Sequence, residues 1–278
     1  MKSILVGYEG SKKILAASSY LLNKYLPGEF EFHFLNYGDY DGELSTGEYV
    51  SLDVEQRGGS ESWSRYLVEY LSQLDDTKDD FIMFGLDDYF QSNFIDYDAY
   101  FDLIDYMSDD YSIGAAKLGI SPSYRIGDYT MLDDHVYVLK RDANYSATTQ
   151  LCIWRRKFLI DVLSKIQTPW QFELVGSDYI KSTGVRVIGS TKMPLRYPEP
   201  SALSSRHPEK ISVFGNRISD IEECIKRGYL KEKDLIVGQW IGHTKTYSEC
   251  KIHPHYALEA CPDTEVEYYK MLLDTCLR

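Results

Sequence analysis

The chain has 278 residues, of which 44% are hydrophobic and 26% charged, enough to bury one large core or two modest ones. A formal net charge of −13 and an isoelectric point near 4.9 argue against a protein that grips nucleic acid through its overall field, because phosphate contacts draw on Lys and Arg. No run reaches the roughly 20 apolar residues of a membrane helix, and the start MKSILVGYEGSKK is wrongly flanked for a secretory signal, so a soluble, cytoplasmic protein is expected.

Ser3 to Gly7 is a short apolar run with β-branched content, and Ser11 to Tyr25 carries helical spacing through Ile14, Leu15, Leu21, Leu22 and Tyr25. Pro27-Gly28 marks a turn, and Phe30 to Leu35 alternates like a second strand. The opening is therefore βαβ, the mark of a parallel α/β sheet. A polar loop, Asn36 to Gly59, precedes a helix predicted over Ser60 to Leu74, with Ser60 or Ser62 as its cap. The third predicted strand is FIMFGL, 81–86, which runs directly into Asp87-Asp88.

Further along, Asn93 to Met107 and Trp154 to Ile166 read as helices, and Ser112 to Leu118 and His135 to Leu139 as strands. Met193 to His207 reads as an extended loop, Ile218 to Arg227 as a short helix ending at Gly228, and Thr264 to Leu277 as a last helix. The five cysteines, Cys152, Cys224, Cys250, Cys261 and Cys276, lack CxxC pairing and are expected to be free thiols. The 24 tyrosines suit either stacking on sugars and bases or half-buried packing. The fold class is α/β: a Rossmann-like, mixed and mainly parallel central sheet flanked by helices, with a C-terminal helical and loop extension.

In open α/β sheets, ligands bind beyond the carboxyl ends of the parallel strands, which is where Asp87 and Asp88 fall. Adjacent carboxylates repel, and each is costly to ionise unless a cation lies beside them. Mg²⁺ or Mn²⁺ with oxygen ligands and bridging phosphates removes that cost. The bland alternatives are that Asp87 caps the next helix, or that both acids face water in a loop.

An apolar strand ending in acids and then an aromatic, Leu86-Asp87-Asp88-Tyr89-Phe90, resembles the DxD-type motif of glycosyltransferases with the GT-A fold. A second block, Ser146-Ala147-Thr148-Thr149-Gln150-Leu151-Cys152-Ile153-Trp154-Arg155-Arg156, followed by Pro169-Trp170-Gln171-Phe172-Glu173 and Gly176-Ser177, resembles the acceptor-side region of small bacterial and viral members, where a helix leads to a Trp-x-Phe-Glu turn. The resemblance covers roughly residues 1–190. It departs from the commonest form at Leu86, where many relatives carry another acid.

The resemblance implies a catalytic, nucleotide-sugar-binding domain over 1–190 and an extension over 191–278 that packs on it and closes the acceptor side. It implies a nucleotide-sugar donor of UDP or GDP type, a glycan or other hydroxyl acceptor, and Mn²⁺ or Mg²⁺ as cofactor. Gly7, Tyr8 and Glu9 would meet the base or ribose, with Ser62, Trp63 and Asp87 also on the donor side. Gln150, Trp154 and Trp170 would line the acceptor, and Asp87, Asp88 and His207 would hold the metal. Arg206 would close over the diphosphate beside His207, while His243, His253 and His255 compete for the metal role.

Inverting transfer needs a base near the attacking hydroxyl, worth about 10²–10⁴ in rate. Glu173 is the candidate; Asp178 is its rival, and an ordinary ion pair of Glu173 with Arg155 or Arg156 is the structural alternative. Two other functions remain open: a nucleotidyltransferase that makes nucleotide sugars, for which 7–13 is a faint phosphate loop, and a non-catalytic carbohydrate-binding or assembly protein on the same fold.

Overall fold

The computed structural model describes residues 1–28, 30–52, 63–75, 80–119, 128–197, 202–203, 209–213, 216–238 and 244–246. Strand β1 (Lys2–Val6) leads through a 3₁₀ turn (Glu9–Ile14) into α1 (Leu15–Tyr25), followed by β2 (Glu31–Tyr37), β3 (Glu48–Leu52) and α2 (Trp63–Ser72). Then come β4 (Phe81–Leu86), α3 (Tyr97–Asp109), β5 (Ile113–Lys117), β6 (Tyr129–Met131), β7 (Val136–Leu139) and β8 (Cys152–Arg155). The chain continues with α4 (Arg156–Leu163), α5 (Pro169–Thr183), β9 (Arg186–Ser190), β10 (Ile211–Ser212), α6 (Ile218–Lys226), β11 (Leu235–Gly238) and β12 (Thr244–Thr246).

Nine strands form one sheet in the order β3-β2-β1-β4-β8-β5-β9-β7-β6, and β10-β11-β12 form a small second one. In the large sheet only β8 and β7 oppose the common strand direction, so it is mixed and mainly parallel, as expected. The strands near its centre read as apolar runs because helices cover both faces. One face buries α1 and α3, and the other α2, α4 and α5. Each fully buried Leu, Ile or Phe there stabilises the fold by about 1.5–3 kcal/mol.

Leu195, Ile211, Ile221 and Leu235 join the same apolar cluster as α1. Asp220, only 1% exposed, ties α6 to α1 by accepting from the Lys24 amine and the Tyr25 hydroxyl. Cys152 and Cys224 are buried free thiols. Among the described residues no helix is long and apolar enough to cross a membrane.

Three local expectations are corrected. FIMFGL is the fourth strand, since Glu48–Leu52 inside the predicted loop forms an edge strand beside β2. Cys152–Arg155 is a strand lying antiparallel between β4 and β5, so Trp154 precedes the helix instead of starting it. The Trp-Gln-Phe-Glu segment is the first turn of α5, not a free turn: Thr168 caps it by accepting from Gln171 N at 3.2 Å, and Pro169 occupies a position where no amide is needed. The predicted last helix, 264–277, lies outside the described residues.

Candidate functional site

The strand order reverses at β1: β2 and β3 step outward on one side, and β4 returns to pair with the other. Ligand crevices form beyond the strand ends at such a reversal. Here the ladder continues past the strands, with Gly7 N donating to Leu35 O at 2.9 Å and Asp87 N to Val6 O at 3.1 Å. Gly7 and the acid pair are thereby held side by side.

Asp87 and Asp88 are 2% and 7% exposed. Ser11 Oγ donates to Asp87 Oδ2 at 2.7 Å, and Asn36 Nδ2 donates to Ser11 Oγ at 3.0 Å. Burial first, and the neighbouring Asp88 charge second, push the Asp87 carboxyl well above the usual carboxylate range, against the pull of Ser11. Tyr8, half-exposed at the mouth, has its phenol raised by burial, then by Asp88, then by Asp87. A Cβ on Gly7 would lie 2.1 Å from Asp87 Oδ2, so only glycine admits this approach.

Glu173, near the start of α5, approaches the same region through Thr148 and Thr149. Its Oε1 accepts from Thr149 N at 3.1 Å, Thr149 Oγ1 at 2.8 Å and Thr148 Oγ1 at 3.4 Å. Thr149 O in turn accepts from Leu86 N at 3.0 Å, immediately before the acids. The segment 147–149 is fastened to α5 again where Ala147 N donates to Ser177 Oγ at 3.0 Å. Glu173 therefore makes no ion pair with Arg155 or Arg156. Those buried arginines satisfy carbonyls at the ends of α3 and α2. Asp178, the rival base, is exposed and pairs with Lys181 at 3.3 Å.

Other expected contacts fall elsewhere. Trp154 is fully buried beside Phe158 and Phe172, and Trp63 is 4% exposed between Phe84 and Phe172, so both serve the core and neither ring is open to a substrate. Trp170, by contrast, is 73% exposed, and Gln150 is buried beside Thr149. Glu9 opens the 3₁₀ turn. Ser62, Arg206, His207, His243, His253 and His255 lie outside the described residues.

Sequence reasoning gave no role to Ser11, Asn36 or Thr149. The available signal was a small polar residue near the strand ends that meet here: Ser11 in the 3₁₀ turn after β1, Asn36 near the end of β2 and Thr149 shortly before β8. A cavity of about 490 Å³, lined by Asp102, Tyr106, Asp133, His135 and Arg186 among others, shares no residue with this site.

The donor chemistry of the pair, carboxylate oxygens on buried acids, fits a hard divalent cation, and among the described residues Asp87 has no ion pair to balance its charge. No group of three or more His, Cys, Asp or Glu among the described residues is arranged to hold a metal ion.

No family model and no curated protein matches the sequence. Solved structures similar to it include S. aureus TarS 1–349, with 14% identity, a TM-score of 0.43, and coverage of 70% of this chain and 59% of that one. The chain thus spans less than two thirds of TarS 1–349. UDP-glucose pyrophosphorylase complexed with UDP-glucose is 10% identical with a TM-score of 0.43, covering 70% of this chain and 91% of that one. The galactosyltransferase LgtC, in complex with donor and acceptor sugar analogs, is 12% identical with a TM-score of 0.37, covering 68% and 73%.

Proposed function

We propose that the protein transfers a sugar from a UDP- or GDP-type nucleotide sugar to a hydroxyl group of a glycan or other acceptor, with Glu173 as base and inversion at the anomeric carbon. One observation carries the reading: Thr149 joins both halves of the site, accepting from Leu86 beside the acid pair and donating to Glu173. A carboxylate held by three donors is thus oriented within a few residues' reach of two buried acids at a strand-order reversal.

On the donor side, Tyr8 offers an exposed ring for the base, and the Gly7 backbone permits close approach. On the acceptor side, the exposed Trp170, one helical turn before Glu173, offers a face for a sugar ring. Glu173 takes the proton of the acceptor hydroxyl as that oxygen bonds to the anomeric carbon; the bond from that carbon to the diphosphate breaks, and its electron pair leaves with the phosphate oxygen. Mn²⁺ or Mg²⁺, bound at the 87–88 acid pair together with His207, would supply the positive charge that stabilises the departing diphosphate.

Thermal unfolding with UDP, GDP and their sugars, each with Mn²⁺ or EDTA, tests the reading. A ligand at 100 times its dissociation constant adds about 2.7 kcal/mol, a readily measured rise in midpoint. Failure of every nucleotide to stabilise the chain in Mn²⁺ would remove the proposed donor site.

A further inference from the structure

Asp87 and Asp88 are neighbours in sequence but are engaged differently. Among the described residues, the hydrogen bonds of Asp87 run inward: its amide donates to Val6 O at 3.1 Å, its carbonyl accepts Ser18 Oγ at 2.9 Å, and its Oδ2 accepts Ser11 Oγ at 2.7 Å. Ser11 Oγ is a hub whose bonding capacity is full. It accepts from Tyr8 N at 3.1 Å and from Asn36 Nδ2 at 3.0 Å, which uses both lone pairs. Its single proton is left for Asp87 Oδ2 at 2.7 Å or Tyr8 O at 2.9 Å.

The surroundings of Oδ2 are filled. A Cβ on Gly7 would meet Asp87 Oδ2 at 2.1 Å, Ser11 Oγ at 2.3 Å and Asn36 Nδ2 at 2.7 Å. Side chains from the end of β4, the 3₁₀ turn and the end of β2 therefore converge on the one position of the β1 end that carries none. A cation approaching Oδ2 would meet the Asn36 amide and the Gly7 backbone. Asp88 ranks above Asp87 among the charges that raise the Tyr8 phenol.

We propose that Asp87 is a positioning residue and not a metal ligand: it locks the Gly7–Ser11 loop against the ends of β2 and β4, sets Tyr8 in place for the nucleotide, and leaves Asp88 as the acid of the pair that meets the ligand's charge. This rests on the reading of the protein as a nucleotide-sugar transferase. Asparagine at 87 keeps an acceptor oxygen for Ser11 but loses the charge a metal needs, so the two roles separate.

The experiment is calorimetric titration of the full chain with UDP and GDP, in Mn²⁺ and in EDTA, for the wild type and for Asp87→Asn, Asp87→Ala, Ser11→Ala and Asp88→Asn. Asp87→Ala and Ser11→Ala are expected to weaken nucleotide binding about tenfold in both media, since each removes the side-chain bond that ties the Gly7–Ser11 loop to the end of β4. Asp87→Asn stays within about threefold of the wild type and keeps whatever increment Mn²⁺ adds. Asp88→Asn loses only that increment.

Loss of the Mn²⁺ increment in Asp87→Asn, or unchanged affinity of Asp87→Ala in EDTA, overturns the proposal. If the wild type binds neither nucleotide in either medium, the functional reading fails, and urea unfolding decides the lock separately. A double variant, Asp87→Ala with Ser11→Ala, no less stable than the worse single variant supports it; full additivity overturns it.

Discussion

Asp87 and Glu173 are both tied to the end of β4, Asp87 directly and Glu173 through Thr149, and their surroundings hold them by opposite means. Asp87 is almost wholly buried, with one hydroxyl donor on its carboxylate, and burial drives it toward the neutral form. Glu173 is half-buried and receives an amide and two hydroxyls from the 148–149 segment. An acid sunk among fixed groups braces a loop. One held at the surface by donors keeps an oriented carboxylate that a substrate can reach. On the proposed reading, the first acid is structural and the second takes the proton of the acceptor hydroxyl.

The sharpest way to break that contrast is Glu173→Gln. Transfer should fall by about 10²–10⁴, the usual worth of a positioned base, while the urea midpoint stays near wild type because the amide oxygen still accepts from Thr149. A near-normal turnover rate would exclude Glu173 as the base.

Gly7→Ala addresses the opposite end of the comparison. The added methyl collides with three polar atoms at once and should cost about 1–3 kcal/mol of stability, read as a lower urea midpoint. An unchanged midpoint would mean that the region around Asp87 is looser than its distances indicate.

The smallest expected effect is a pH slope. Between the ordinary carboxylate value of 3.8 and the raised value of Asp87, the folded chain keeps a proton that the unfolded chain has released. That stability is complete below the unfolded value and is lost as pH rises through the folded one. In EDTA, the wild type should therefore lose stability relative to Asp87→Asn as pH rises, measured by urea unfolding at steps between about pH 5 and pH 8. A difference that stays flat would show that Asp87 ionises without cost.

Much of the fold was legible locally. The apolar run of β1, the helical spacing before Tyr25 and the alternation in β2 identify a βαβ opening because backbone period and side-chain burial agree there. The misses share a cause. Glu48–Leu52 lies at the sheet edge with mixed exposure, so it carries little periodic signal. Cys152–Arg155 is buried on both faces, and a short apolar run of that kind reads equally as helix or strand.

For the site, the sequence by itself determined that two acids end an apolar strand and that a glutamate follows Trp170 and Phe172, since strand ends and helix starts are properties of neighbouring residues. Tertiary structure alone decided that Trp154 is sealed in the core while Trp170 is open, because a ring's exposure depends on which neighbouring elements pack over it. It also decided that Ser11 and Asn36 close around Asp87, and that Thr149 joins Leu86 to Glu173. Those hydrogen bonds span long stretches of chain, and only the sheet order brings their partners within reach.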